Sequence, residues 1–239
     1  MNPDLKKIDL TRIFFLDIET VSAAPDFDTL DEDWKELWTE KTQWQRKDQY
    51  SADAFYPMKA GIFAEFAKVV CVSIGFFERA DGHPRQFRIR SIYSKDEREL
   101  LLELQSLLMQ HTQALCAHNG KEFDFPFLAR RFMMHGLELP PALRLQGKKP
   151  WEVVHLDTME LWKFGDHKNF TSLNLIAKCL GIPSPKEDIK GSEVGRVYWQ
   201  EDDLERIVRY CERDTVTVAQ IMLRMTGREL LDPDEVRSL

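Results

Sequence analysis

The sequence predicts an α/β domain, on three observations. Runs rich in Val, Ile and Phe at residues 11–18, 68–77 and 86–93 read as strands, a leucine stripe at helical spacing follows Ser94, and a second helical period fills 201–225. At 239 residues and 43% hydrophobic content the chain is long enough for one sizeable core. A single domain over 1–239 is therefore expected, with an insertion at about 21–67 ahead of the second strand.

The first strand is the most informative element. It ends in Leu16-Asp17-Ile18-Glu19-Thr20. Strand side chains alternate between faces, so Asp17 and Glu19 share one face while Leu16 and Ile18 share the other. Two neighbouring carboxylates repel and are costly to bury unless a cation lies between them, and Mg²⁺ or Mn²⁺, which take oxygen ligands, suit that place. The same stretch also fits an exposed strand end with two solvated acids.

The insertion carries Trp34, Trp38 and Trp44, the first two spaced to share one helical face. An amphipathic helix covering the sheet is the favoured reading, ahead of an aromatic platform for bases. Strands 68–77 and 86–93 form a hairpin about a turn at Asp81-Gly82-His83-Pro84. Ser94 is expected to cap the next helix in a box with Glu97, and Leu100, Leu101, Leu104, Leu107 and Leu108 form its core stripe. A short strand at 114–117 comes next.

That strand runs into Asn119, Phe123 and Asp124, and Asp124 falls in the first turn of a helix, where an acid also serves the dipole. If this strand lies beside the first, Asp124 joins Asp17 and Glu19. Residues 153–157 read as a further strand, followed by helices near 158–164 and 172–180, the latter ended by Gly181 and Pro183. Asp157 is either a fifth acid of the site or, the favoured reading, the N-cap of its helix. His155 and His167 lack partners at metal-ligand spacing and read as structural or exposed.

In the last helix Leu204, Ile207, Val208, Cys211, Val218, Ile221 and Met222 make the buried side, and Tyr210 and Asp214 are one turn apart on one edge. That pair suits a metal ligand with a group that orients water, and taken singly it is also common as a solvated helix edge.

Composition limits the function classes. The N-terminus is charged and no run of about 18 apolar residues occurs, so neither a signal peptide nor a membrane span is expected and the protein reads as cytoplasmic. Cys71, Cys116, Cys179 and Cys211 lack paired spacing and sit among apolar neighbours like core residues, so neither zinc nor disulfides are expected. A net charge of −7 argues against tight passive binding of nucleic acid, though a metal-dependent nuclease is compatible with it.

In order, Asp-x-Glu at a strand end, Asn-x3-Phe-Asp at a strand-to-helix junction and Tyr-x3-Asp on a C-terminal helix resemble the DEDD superfamily of 3′–5′ exonucleases, tyrosine subclass. The likeness is greatest to the proofreading exonuclease domain of family-B DNA polymerases and runs from Phe14 to about Met225. It implies a ribonuclease H-like fold, a mixed five-stranded sheet flanked by helices. It implies that Asp17, Glu19, Asp124 and Asp214 hold two divalent cations, Mg²⁺ or Mn²⁺, and that Tyr210 serves the attacking water. By the same match Thr20, Asn119 and Phe123 touch the terminal nucleotides, although Phe123 fits equally well as packing under the sheet. Lys190 stands where some relatives carry a catalytic lysine.

The implied activity is hydrolysis of DNA from single-stranded or frayed 3′ ends, releasing nucleoside 5′-monophosphates. The chain ends at Leu239 without palm, fingers or thumb and so reads as a stand-alone exonuclease, a polymerase partner being left open. Two alternatives stand beside this: a 3′–5′ exoribonuclease of the same superfamily, and a non-catalytic nucleic-acid binder that keeps the fold.

Overall fold

The computed structural model describes residues 5–47, 49–80, 83–111, 114–166, 170–183 and 188–239. Its centre is strand β1, Ile13–Ser22, flanked by β2 (Ala67–Ala80) on one side and β4 (Ala114–Ala117) on the other. The sheet is completed by β3 (His83–Tyr93), β5 (Leu156–Asp157) and β6 (Val236–Ser238), in the order β5-β4-β1-β2-β3-β6. It is mixed: β1–β2 and β2–β3 are antiparallel, while β1–β4, β4–β5 and β3–β6 are parallel.

The expected five strands are thus six. The extra one is the C-terminal β6, whose three residues extend the edge at β3, with Leu239 N–H donating to Ile89 C=O. So short a run carries no alternation by which to recognise it. β1 also continues past residue 18 to Ser22, paired along its length with β2. The 153–157 strand shrinks to Leu156–Asp157, because residues 150–152 turn as a 3-10 helix. The turn expected at Asp81-Gly82 lies outside the described residues, as does His167.

Two layers of helices cover the sheet. Phe14, Leu16 and Ile18 pack with α3 (Glu97–Gln110) and α4 (Asp124–Met134) in one core, whereas Phe15 and Val21 join clusters formed with α6 (Leu173–Cys179) and α8 (Leu204–Thr226). This is the alternation expected of β1. Asp17 and Glu19 belong to the α8 face.

Helix α8 starts at Asp203, whose carboxylate accepts from Arg206 N–H at 3.0 Å, and ends at Gly227, which takes a left-handed φ of 76°. Its expected core residues are buried except Leu204, which is partly so. Ahead of it lie the single turn α7 (Val194–Arg196) and a π-helical turn, Val197–Glu201.

Helix α3 corrects the expected cap. Asp96, not Ser94, is its N-cap and accepts from the N–H groups of Arg98 and Glu99. Glu97 is instead buried, holding Arg131, His135 and the N–H of Val69. Asp157 is the N-cap of α5 (Thr158–Lys163), accepting from Met159 and Glu160, as expected. His155 is structural: it accepts from Leu115 N–H and donates to Ala142 C=O.

Residues 21–67 fold into α1 (Glu32–Arg46), α2 (Ala52–Lys59) and the turn Ala60–Ile62. Trp38 is buried there among Phe55, Tyr56 and Phe66, its indole N–H donating to Ala52 C=O at 2.8 Å. The helix builds its own small core, whereas Trp44 is 88% exposed. Cys71, Cys116 and Cys211 are buried, but Cys179, at the end of α6, is exposed and is no core residue. Among the described residues no helix is long and apolar enough to cross a membrane.

Candidate active site

The first acids sit where β1 outruns its β4 neighbour. β4 pairs with β1 only as far as Phe15, so the edge beyond it is open. A register shift between Glu19 and Thr20 marks a bulge in the β1–β2 ladder, with Val70 as the extra residue. Glu19 is buried and Asp17 half-buried.

Asp124 arrives from the opposite layer. The chain leaves β4, turns through Asn119 at a φ of 62° and enters α4, so that the buried Asp124 accepts the backbone N–H of Ile18. Asp157 fixes the turn from beneath, accepting from the N–H groups of Asn119 and Lys121 at 3.0 and 3.1 Å. Asp157 therefore supports the site as a cap and a loop anchor.

From α8 come Tyr210 and Asp214, and the phenol donates to the Asp214 carboxylate. Arg213 lies beside both, its Nε 3.8 Å from Asp214 and its guanidinium 4.9 Å from the Tyr210 ring centre. Four carboxylates from three elements thus converge.

Their electrostatics register the crowding. Burial pushes Asp17 well up from the usual carboxylate range, and Asp214 and Asp124 push it further. Glu19 is raised by burial and then by Asp17 and Asp214. Asp124 is raised to about 7, chiefly by burial, with Asp157 adding and its hydrogen bonds to its own and the Ile18 N–H opposing. Tyr210 is driven well above its ordinary value by burial and by the charges of Asp214, Glu19 and Asp17, so it is a neutral phenol.

These groups fit a hard divalent cation. The donors are carboxylates, and Asp17, Glu19 and Asp124 are held up by burial and like charge, which a cation between them relieves. Among the described residues, Asp17, Glu19 and Cys211 offer ligand atoms within 4.8 Å of one another. The Cys211 thiol is raised by burial and donates to Asp17 C=O at 3.4 Å, so it is a protonated neighbour rather than an anionic ligand. Sequence reasoning treated it as core alone; its place between Tyr210 and the acids was the available signal.

A groove of about 460 Å3 opens from Glu19 and Thr20 and is lined further by Phe123, Gly191, Arg196 and Trp199. The Thr20 hydroxyl donates to Gly61 C=O at 2.6 Å, which occupies its proton. Phe123 lines the groove and also packs on Phe127, with ring centres 5.3 Å apart. Asn119 lines a separate cavity of about 570 Å3 with Lys121, Lys148 and Lys163, and its side-chain oxygen is buried without a partner among the described residues. Lys190 is exposed and does not line the groove; its neighbour Gly191 does, and a Cβ there would lie 3.7 Å from the Tyr210 hydroxyl. The backbone of Lys190 starts a turn in which its N–H donates to the Glu193 carboxylate.

A mixed six-stranded sheet flanked by helices, with acids at the end of its central strand, is the architecture of the ribonuclease H-like exonucleases. The model of one family, described as "Predicted 3'-5' exonuclease related to the exonuclease domain of PolB", matches residues 62–237, and the chain belongs to that family. The matched span contains Asn119, Phe123, Asp124, Tyr210 and Asp214, whereas Asp17 and Glu19 precede it.

Proposed function

We propose that this chain is a metal-dependent 3′–5′ exonuclease of the tyrosine subclass, which removes nucleoside 5′-monophosphates from single-stranded or frayed 3′ ends of DNA. The observation that carries this is the convergence of Asp17, Glu19, Asp124 and Asp214, buried or half-buried, with Asp214 and Asp124 adding to the burial that raises Asp17 and Glu19, beside a neutral phenol.

Asp17, Glu19, Asp124 and Asp214 would hold two divalent cations, Mg²⁺ or Mn²⁺. When bound, such ions supply Lewis-acid stabilisation of the phosphate and an activated water. The chain's own part is placement. Tyr210 keeps its proton and donates it in a hydrogen bond to Asp214, so it acts by accepting a hydrogen bond from the nucleophilic water at its phenolic oxygen and orienting it, rather than as an ionised base. Asp214 accepts from Tyr210 and so ties that donor to the carboxylate cluster. Thr20 and Phe123 border the place of the terminal nucleotide, and Asn119 offers an unsatisfied amide oxygen on the other side of the loop.

Matched single-stranded DNA and RNA oligonucleotides with labelled 5′ ends test the reading, with Mg²⁺, Mn²⁺ or chelator. Stepwise shortening of the DNA with release of mononucleotides, lost on chelation or on blocking the 3′ end, is expected. Faster shortening of the RNA would reassign the chain as an exoribonuclease. Circular strands cut as fast as linear ones would make it an endonuclease, and no metal-dependent release from either would leave a non-catalytic relative.

A further inference from the structure

One wall of the groove beside Glu19 comes from a segment that none of the three acid-bearing motifs reaches. The end of α2 and the turn Ala60–Ile62 place Pro57, Met58 and Ile62 along it. Met58 and Ile62 are 52% and 53% exposed, aliphatic side chains presented to solvent a few residues from buried anchors. Both line the same concave surface, where an apolar contact is available to a ligand.

The wall is held in place. Tyr56 is buried against Trp38, and its hydroxyl accepts from Ala24 N–H at 3.3 Å. The Thr20–Gly61 hydrogen bond ties the turn to the strand that bears Asp17 and Glu19. Trp199 is fixed in turn, its indole N–H donating to the Ser22 hydroxyl at 3.1 Å. The groove is thus preformed and open to solvent, with Pro57, Met58 and Ile62 giving this side its apolar surface beside Lys59, and it reaches the Glu19 carboxylate. Its volume of about 460 Å3 lies within the range of small-molecule sites.

We propose that Met58 and Ile62 form the contact face for the sugar and base of the 3′-terminal nucleotide and so determine how strongly an unpaired end is held. This rests on the exonuclease reading above. Aliphatic side chains meet the flat face of any base and read none of its hydrogen-bonding edges, so every base is accepted and purines are held most strongly because they bury more area. A terminal base still paired to a template strand presents no free face to such a wall, so selection for frayed ends follows from the same surface.

The test is the double variant Met58→Ala/Ile62→Ala, with Met58→Glu as a second probe that places a charge on the wall. Both positions are solvent-exposed, and thermal unfolding checks that each variant folds. Titration of dAMP by calorimetry in the presence of Mn²⁺ should show affinity weakened about tenfold in the double variant and more in Met58→Glu. On a single-stranded oligo-dA substrate, KM should rise by a similar factor and outpace any fall in kcat, while Mn²⁺ affinity without nucleotide stays at the wild-type value. Wild-type dAMP affinity and KM in both variants would overturn the inference, as would failure of the wild-type protein to bind dAMP. Absence of any nucleotide release by the wild-type protein would strike the exonuclease reading instead. Loss of dAMP binding in the variants would then still support the nucleotide-binding wall.

Discussion

The backbone N–H of Ile18 donates to the carboxylate of Asp124. Ile18 stands between Asp17 and Glu19, so the strand that carries two acids also holds the third in place through its own main chain. The three cannot be separated without breaking that bond, and their repulsion is built into the fold. Asp17→Asn should therefore raise the melting temperature of the metal-free protein by about 2–4 °C, the amount that roughly 1 kcal/mol gives in a chain of this size. The same change should cut exonuclease turnover by at least about a hundredfold. A metal-free melting temperature that fell would show that the acids do not strain the fold.

The pH dependence of stability follows from the same cluster. Asp124 is raised to about 7 in the folded protein, against an unfolded value of about 4. Between these values the folded state holds the extra proton, so stability falls as pH rises from about 4 to about 7 and is level for this group above that. Asp17 and Glu19, raised in the same direction, steepen the fall. In chelator, the melting temperature should be lower at pH 8 than at pH 5, and Mn²⁺ should restore it at pH 8. A melting temperature that rises across this window in chelator would contradict the raised values.

What the sequence revealed of this site was local. Asp17 and Glu19 share a face because strands alternate, and Tyr210 and Asp214 share an edge because helices repeat, so neither needed knowledge of the partner elements. The approach of Asp124 hung on the short strand ahead of it lying beside the first, a pairing between distant segments that the structure shows. Where a residue answers to a distant partner, local rules misled. Glu97 matches the capping pattern after Ser94, but Arg131, 34 residues away, draws it into the core and leaves the cap to Asp96. The β6 strand, the groove wall at Met58 and Ile62, and the place of Gly191 beside Tyr210 are tertiary facts of the same kind.

The Glu97–Arg131 pair gives a stability prediction. Arg131 donates to Glu97 through Nε at 2.8 Å and through Nη2, and to Ala64 C=O at 2.8 Å, joining α4, α3 and the end of the 21–67 segment. Arg131→Met removes the cation and leaves Glu97 buried with His135 and the Val69 N–H. A loss of about 3–5 kcal/mol is expected, read from the midpoint of denaturant unfolding. Glu97→Gln/Arg131→Met together should cost less than the single change, since no charge is then stranded. A double variant as unstable as Arg131→Met would show that packing, rather than the stranded charge, sets the loss.

Tyr210 and Asp214 are adjacent on α8 and hydrogen-bonded, yet they should fail differently. The phenol is neutral and ligates nothing in the proposed mechanism, so Tyr210→Phe removes one hydrogen bond and leaves the four carboxylates in position. Mn²⁺ affinity should stay near wild type while kcat falls about 10- to 100-fold, the usual reach of a misoriented nucleophile. Asp214→Ala removes a carboxylate from the cluster and relieves the charge that raises Asp17 and Glu19. It should weaken Mn²⁺ binding and depress turnover further than Tyr210→Phe does. Calorimetric titration of Mn²⁺ beside steady-state rates on one single-stranded substrate separates the two effects. The double variant is informative because groups acting as a unit are not additive. Tyr210→Phe/Asp214→Ala should be no slower than Asp214→Ala alone, since a water no longer held has no orientation to lose. Unchanged turnover in Tyr210→Phe would place the phenol outside the chemistry and remove the chain from the tyrosine subclass.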